Sequence, residues 1–450
     1  MRLRLSPYTA RNNEVRLRAH AAKNSRAWFY ATEIASIYNF PKPNLTKPVV
    51  VGVVSLGGGL IGTIDAKTGV LTNGDVQKYW ANRNIPANQM PKVIVIPLNG
   101  ARNVPNPRDS ATIENTIDIQ TIGACCPSSS LTILFFLAPN TMQGFTAIFT
   151  KALQNPVSAY GKSYNLSILS VSWGAPEIYF SRSNLNAINA LCQQAAQKGI
   201  TICVATGDNG SNDGVGGRGA YTDFPSSSPN VLACGGTSLF CPNFVYDAST
   251  KETAWSSGGG GISAAFPKPT YQSRITANGR AIPDIALNAD PKTGVVFLIG
   301  GTQMAIGGTS IVAPAAAAYL ACLNMNIFFT PLLYSLPSTV FHDIIIGSNG
   351  AYSAKLGYDA STGFGSINGQ TLATQLLPLS IQTVASKTLT VGQTHQIVAN
   401  YPNMNLTYVS SAPTIATVST SGLVRALKKG TAIITTNVGN LASTTSVVVN

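Results

Sequence analysis

The feature that most limits the fold is a series of short, unbroken apolar runs separated by helical patterns. Residues 49–55 form a β-branched run, and similar runs follow at 93–96, 131–137, 166–171, 200–205 and 230–234. A strand that is apolar at every position, rather than at alternate ones, has to be covered on both faces. That is the habit of a parallel sheet between layers of helix. Helical patterns at 146–153 and 183–197 lie between the runs, and a short helix opening at Tyr30 stops before Pro41. The expected class is therefore α/β, with a parallel sheet flanked by helices. The 450 residues suffice for two or three domains, and 45% hydrophobic against 10% charged residues excludes a chain that is disordered overall.

One stretch has the make-up of a reactive turn. Gly307-Gly308-Thr309-Ser310 precedes Ile311-Val312-Ala313-Pro314 and an apolar run at 315–322. Glycines let a tight turn deliver the serine to a helix start, where free amides and the helix dipole favour a developing oxyanion. Pro314 is expected in the opening turn, where a missing N–H is harmless. The bland alternative is a capped core helix. A serine nucleophile needs a base. The chain has three histidines: His20 in a basic leader, His342 before an acidic loop, and His395 in a β-rich C-terminal segment. If Ser310 is not idle, its base is a carboxylate. Glu114 and Asp118 stand four apart, one helical turn, beside an apolar side made by Ile113, Ile117 and Ile119. Two close carboxylates raise each other's proton affinity and titrate as a unit; the alternative is a solvated helix face. Asp208 ends an apolar strand, where it either donates a proton to an oxyanion or satisfies local turn amides.

The combination says more than its parts. Glu114-x-x-x-Asp118-Ile-Gln, Ser172-Trp-Gly174, Thr206-Gly-Asp-Asn-Gly210, Phe224-Pro-Ser-Ser-Ser-Pro229, Gly235-Gly-Thr237, Ser257-Gly-Gly-Gly-Gly261, Pro283-Asp-Ile285, Gly307-Gly-Thr-Ser310 and Gly357-Tyr-Asp-Ala-Ser-Thr-Gly363 occur in one order. In these pieces the chain resembles the sedolisin family, the serine-carboxyl peptidases, from about Tyr30 to Leu376. The resemblance implies a subtilisin-like sheet and an acid-active endopeptidase or tripeptidyl-peptidase. It implies Ser310 as nucleophile, Glu114 as base, Asp118 as its partner and Asp208 as oxyanion donor. It also implies that the edge Ser172, Trp173 and Gly174 pairs with substrate. One calcium ion is implied, held by the side chains of Asp343 and Asp359 and the carbonyls of Ile344, Lys355 and Gly357; Lys355 replaces the family's usual glycine. The family carries a long inhibitory prosegment, for which the leader has no room. An extracellular or acidic compartment is implied, although no signal-peptide pattern is present.

The expected divisions are a basic, poorly ordered leader at 1–26, a peptidase domain at 27–376, a linker at 377–380 and a β-sandwich at 381–450. The last resembles the bacterial immunoglobulin-like group through Leu389-Thr-Val-Gly-Gln, Ser411-Ala-Pro-Thr-Ile-Ala-Thr-Val418, Ser421-Gly-Leu-Val424 and Lys429-Gly-Thr-Ala432, with Tyr408 where a tryptophan is usual. Attachment to a surface or glycan is its expected role. Net charge is +13, but no basic stripe interleaved with aromatics appears in the body, so no specific nucleic acid partner is expected. No apolar run reaches the roughly 18 residues of a membrane span. Of seven cysteines, Cys125 and Cys126 are adjacent, Cys234 and Cys241 could bridge a loop, and no Cys-x-x-Cys metal spacing occurs. Two other functions fit these residues: a catalytically silent peptide binder, and an adhesion protein acting through 381–450.

Overall fold

The computed structural model describes residues 5–7, 10–11, 28–43, 48–217, 219–376, 385–398, 406–438 and 441–450. The expected linker at 377–380 and most of the leader lie outside the described residues.

The apolar runs become one sheet. Its order is Lys251–Ala254, Leu232–Phe240, Thr201–Ala205, Ile168–Val171, Val49–Leu56, Leu131–Ala138, Lys92–Pro97, with Ile285–Asn288 pairing beside Leu232–Phe240. Lys251–Ala254 is antiparallel to its neighbour and the other pairs are parallel. Both faces are covered, as the unbroken runs require. Val51, Val53, Ile133 and Phe135 enter the cluster that holds helices Ser110–Cys125 and Thr309–Leu323. Their neighbours Val50, Val54, Leu134 and Phe136 enter the opposite cluster, with Phe145, Phe149 and Ile188 from helices Met142–Ala152 and Arg182–Gln197. The period of two thus feeds two cores from one set of strands. Each fully buried valine or phenylalanine there contributes roughly 1.5–3 kcal/mol.

Helix Ser110–Cys125 rules out the alternative of a solvated face. It is buried from Thr112 to Cys125, on every side. Its polar letters are spent inside: Gln120 donates to the Leu298 carbonyl at 2.7 Å and accepts from the Leu298 N–H at 3.0 Å, while Trp80 Nε1 donates to the Gln120 carbonyl at 3.1 Å. Asp109 caps its start by accepting from the Thr112 N–H at 3.3 Å.

Helix Thr309–Leu323 begins after Gly308, whose φ of 123° only glycine adopts readily. Pro314 lies inside this helix, a correction to its expected place in the opening turn. Having no N–H, it leaves the Ser310 carbonyl without its usual i+4 donor.

The C-terminal segment is a two-sheet sandwich. Ser386–Leu389, Leu441–Val449, Gly430–Val438 and Thr407–Ser410 make one sheet, and Thr394–Gln396, Leu423–Ala426 and Ala416–Val418 the other. Val424, Ile434 and Val447 fill the space between them.

The leader also differs from expectation where it is described. Ser6–Pro7 pairs with Trp173–Pro176, and Ala10–Arg11 pairs with Thr302–Gly307. The proposed bridge is absent: all seven cysteines are free and buried. Cys241 donates its thiol to the Val245 carbonyl at 3.2 Å, and Cys234 donates to the Leu232 carbonyl at 3.5 Å.

Candidate active site

The carboxyl ends of the parallel strands gather the chemistry, as expected for such sheets. Strand Ile168–Val171 ends at Ser172, and strand Thr201–Ala205 leads through Thr206 and Gly207 to Asp208. The fully buried helix Ser110–Cys125 presents Glu114 and Asp118 from one side, and helix Thr309–Leu323 presents Ser310 in its first turn. Gly307 makes that turn possible, since a Cβ there would lie 2.3 Å from the Pro291 nitrogen.

Ser310 reaches Glu114, and the Ser310 hydroxyl draws the Glu114 pKa down. Neither Glu114 oxygen nor the Ser310 hydroxyl completes a hydrogen bond of normal geometry among the described residues. A nucleophile and base commonly sit this loosely before substrate arrives. Burial, then the charge of Asp118, raise Glu114 well above the usual carboxyl range. Asp118 is also raised well above it, by burial, although the Ser172 hydroxyl donates to its Oδ1 at 2.8 Å. Two buried carboxyls that interact in this way titrate as a pair and favour sharing a proton.

Asp208 faces the same spot. Its Oδ1 accepts from the Thr309 N–H at 2.8 Å and from the Thr309 hydroxyl at 2.9 Å. Its Oδ2 has no partner among the described residues. Burial lifts its pKa to about 6, against the pull of the two Thr309 donors. A carboxyl oriented through one oxygen and protonated on the other is a hydrogen-bond donor of fixed aim.

The expected substrate edge is split by the structure. Ser172 turns inward to Asp118. Trp173 is buried, with its indole nitrogen unpartnered among the described residues. Gly174 is paired with Ser6. The glycine loop at 257–261 meets the protein itself: a Cβ on Gly259 would lie 1.8 Å from the Thr206 carbonyl, and the Gly259 N–H donates to the Gly207 carbonyl at 2.8 Å. It holds the Asp208 strand end in place.

Three residues here were missed from the sequence. Thr309 orients Asp208 and sits inside the Gly-Thr-Ser signature. Asp213, five residues beyond Asp208, is buried with neither carboxylate oxygen partnered among the described residues. Burial, then Asp208 and Glu177, push it up to about 8. Asn115, beside Glu114, accepts from the Ser55 hydroxyl and donates to the Gly57 carbonyl at 3.0 Å; its neighbour in the motif was the available signal.

The expected cation ligands lie around one loop. Asp343 accepts from the Gly357 N–H at 2.8 Å, and Asp359 from the Lys355 N–H at 3.1 Å. Burial raises the Asp359 carboxyl despite four donors to it, those of Ser361, Thr362 (two) and Lys355. A donor set of oxygens only, with a carboxylate that burial leaves undercompensated, fits a hard cation.

The family model described as Subtilase family matches residues 110–329, and that described as Bacterial Ig-like domain matches residues 404–450. Kumamolisin of Bacillus sp. (strain MN-32) is 35% identical over 377 residues, covering 78% of this chain and 64% of its own length. Sedolisin of Pseudomonas sp. (strain 101) is 28% identical over 368 residues, covering 75% of this chain and 59% of its own length. The chain thus spans less than two thirds of the length of these relatives. In fold it is similar to the solved structure of Pseudomonas sedolisin complexed with two molecules of pseudo-iodotyrostatin, with a TM-score of 0.64 and 24% identity over 78% of this chain and 98% of that one. The chain is similar to members of the sedolisin family over its larger part, shares the fold of Pseudomonas sedolisin, and matches a bacterial immunoglobulin-like domain at its C-terminal end.

Proposed function

We propose that this chain is a serine-type peptidase that hydrolyses peptide bonds at acid pH through Ser310, Glu114, Asp118 and Asp208. The observation that carries the reading is the meeting of the Ser310 hydroxyl with the Glu114 carboxyl beside Asp118 and Asp208, from elements far apart in the sequence. Named relatives include kumamolisin, sedolisin and a tripeptidyl-peptidase of Mus musculus, 29% identical over 245 residues. Endopeptidase and tripeptidyl-peptidase action are both compatible with the cluster.

Ser310 Oγ attacks the scissile carbonyl carbon while Glu114 takes its proton. Asp118 shares the remaining proton of the acid pair, so one carboxylate is available as base. The carbonyl oxygen, now anionic, accepts the proton-bearing Oδ2 of Asp208, the oxygen that Thr309 leaves free. Glu114 then gives its proton to the departing amine, and the acyl group stays on Ser310. Water repeats the sequence and releases the acid. Asp208 has to be protonated for this, so activity is expected below about pH 6, in keeping with the proposed extracellular or acidic compartment.

Ser310→Ala is expected to fold with an unchanged melting temperature and to cleave no peptide at pH 3–5; equal turnover by variant and parent removes the nucleophile from the account. We also assign a calcium ion to the Asp343 and Asp359 side chains with the Ile344, Lys355 and Gly357 carbonyls, where it would brace the loop. Chelation should lower the melting temperature by mass action, and metal analysis should return about one calcium per chain. The sandwich beyond 381 is assigned to surface or glycan attachment. Deleting it should abolish attachment and spare proteolysis.

A further inference from the structure

The two helices that carry the acid pair and the serine meet a second time, at their far ends. Cys126 caps the C-terminus of helix Ser110–Cys125, and Cys322 lies in the last turn of helix Thr309–Leu323. Cys126 comes twelve residues after Glu114, and Cys322 twelve residues after Ser310. At the helical rise this is about 18 Å along each axis. The helices pack against each other within one apolar cluster. They therefore run side by side in one direction, with Glu114 and Ser310 at one end and two thiols at the other.

The thiol end is closely built. Cys322 donates its thiol to the Cys125 carbonyl at 3.6 Å, and that carbonyl belongs to the peptide unit leading into Cys126. Contact with the Cys322 thiol, then burial, push the Cys126 thiol well above its usual pKa. Cys125 is engaged elsewhere, since its own thiol donates to the Ala31 carbonyl at 3.4 Å. Cys126 has no exposed surface, whereas Cys322 is 6% exposed. Peptide hydrolysis as set out above uses neither thiol.

We propose that Cys126 and Cys322 form an oxidation site, a pair that closes to a disulfide in an oxidising compartment and clamps the acid helix to the serine helix. The oxidant is a low-molecular-weight disulfide. Cys322, the more exposed of the two, loses its proton and attacks one sulfur of that disulfide, expelling a first small thiolate that takes up the proton. Cys126 then attacks Cys322 Sγ, and its proton goes to the second small thiolate that leaves. Two protein thiols are oxidised, and one small disulfide is reduced to two thiols. The bond closes a loop of about 200 residues, and closing so long a loop removes much of the freedom of the unfolded chain. It also keeps the two helices from parting, so the acid–serine meeting is held from the opposite end.

The test uses the full chain with Ser310→Ala, to prevent self-digestion, incubated with oxidised glutathione at pH 8 a few degrees below its melting temperature, where local opening admits the reagent. After unfolding and alkylation, two of the seven thiols should be missing, and a digest without reductant should join the peptide of Cys126 to that of Cys322. The oxidised chain should melt at least about 5 °C higher, and a dithiol reductant should reverse the gain. Cys126→Ser and Cys322→Ser should each keep all their thiols, whereas Cys125→Ser should still lose two. Retention of all seven thiols by the parent overturns the proposal, and so does glutathione left on Cys322 without a link. A link that survives Cys126→Ser, or one that leaves the melting temperature unchanged, overturns it equally. Thiol counting on the parent decides the matter even where a variant fails to fold. Peptide turnover by the chain with Ser310 intact is a separate measurement, so the clamp and the peptidase reading fail independently.

Discussion

Asp208 divides its two oxygens between two tasks, and the division predicts a pH profile. Oδ1 is held by Thr309, and Oδ2 is free to donate only while it carries a proton. With its pKa at about 6, activity should fall as pH rises through that value. Asp208→Asn keeps a donor at every pH, so its kcat should decline less between pH 5 and 7 than the parent's. Asp208→Ala has no donor and should lose on the order of 100- to 1,000-fold in kcat. A parallel decline of parent and Asn variant in peptide assays across that range would assign the limb to another group. At this scale the sequence was legible where a residue type is itself unusual. With no histidine in a suitable setting, a serine that acts needs an acid; the i,i+4 spacing marked Glu114 and Asp118, a strand end marked Asp208, and the resemblance supplied their roles. Asp213 was not legible. An aspartate in a glycine loop is an ordinary turn residue, and only its placement against Asp208 distinguishes it.

The helix Ser110–Cys125 is the element whose position matters most, since it brings two acids to a buried serine. Its i,i+4 spacing was readable, but its burial was not, because Thr, Asn and Gln letters suggest solvent. They are satisfied within the protein instead: the Thr116 hydroxyl donates to the Thr112 carbonyl at 2.7 Å, and Gln120 binds strand Val295–Ile299. Pro314 shows a similar limit. Its type suggested a helix start, while the apolar packing of Thr309–Leu323 carries the helix through it. The close fit of the acid helix yields a prediction. A Cβ on Gly123 would lie 2.1 Å from the Trp80 ring. That ring is fully buried and tethered through its N–H to Gln120, so it has little room to yield. Gly123→Ala should destabilise by about 1–3 kcal/mol, despite alanine's better helix propensity. Because the displaced helix carries Glu114 and Asp118, kcat should fall as well. Denaturant melts and peptide turnover measure the two effects, and a stabilised variant would contradict the packing.

Across the whole molecule the buried acids set the response of stability to pH, and the sign is opposite to that of most proteins with paired surface carboxylates. Glu114, Asp118, Asp208, Asp213 and Glu252 all have pKa values raised by burial, with Asp208 at about 6 and Asp213 at about 8. The folded state therefore binds these protons more tightly than the unfolded chain, whose carboxyls titrate near 4. The stabilisation is fully present below pH 4 and is lost as pH rises through 6 and then 8. Asp65 and Asp247 are lowered by local hydrogen bonds at fully exposed positions and oppose the trend weakly, and His342, lowered to about 4 by burial, opposes it between about pH 4 and 6.5. The melting temperature should fall by at least about 5 °C between pH 4 and pH 8. The measurement belongs in a Ser310→Ala background, to prevent self-digestion, and at a fixed chelator concentration. Asp213→Asn removes the acid at about 8 and should flatten the curve between pH 6 and 8 while leaving pH 4 nearly unchanged. A melting temperature that rises over this range would mean that the acids at the site are charged in the folded protein, which would also remove the proton that Asp208 is required to donate.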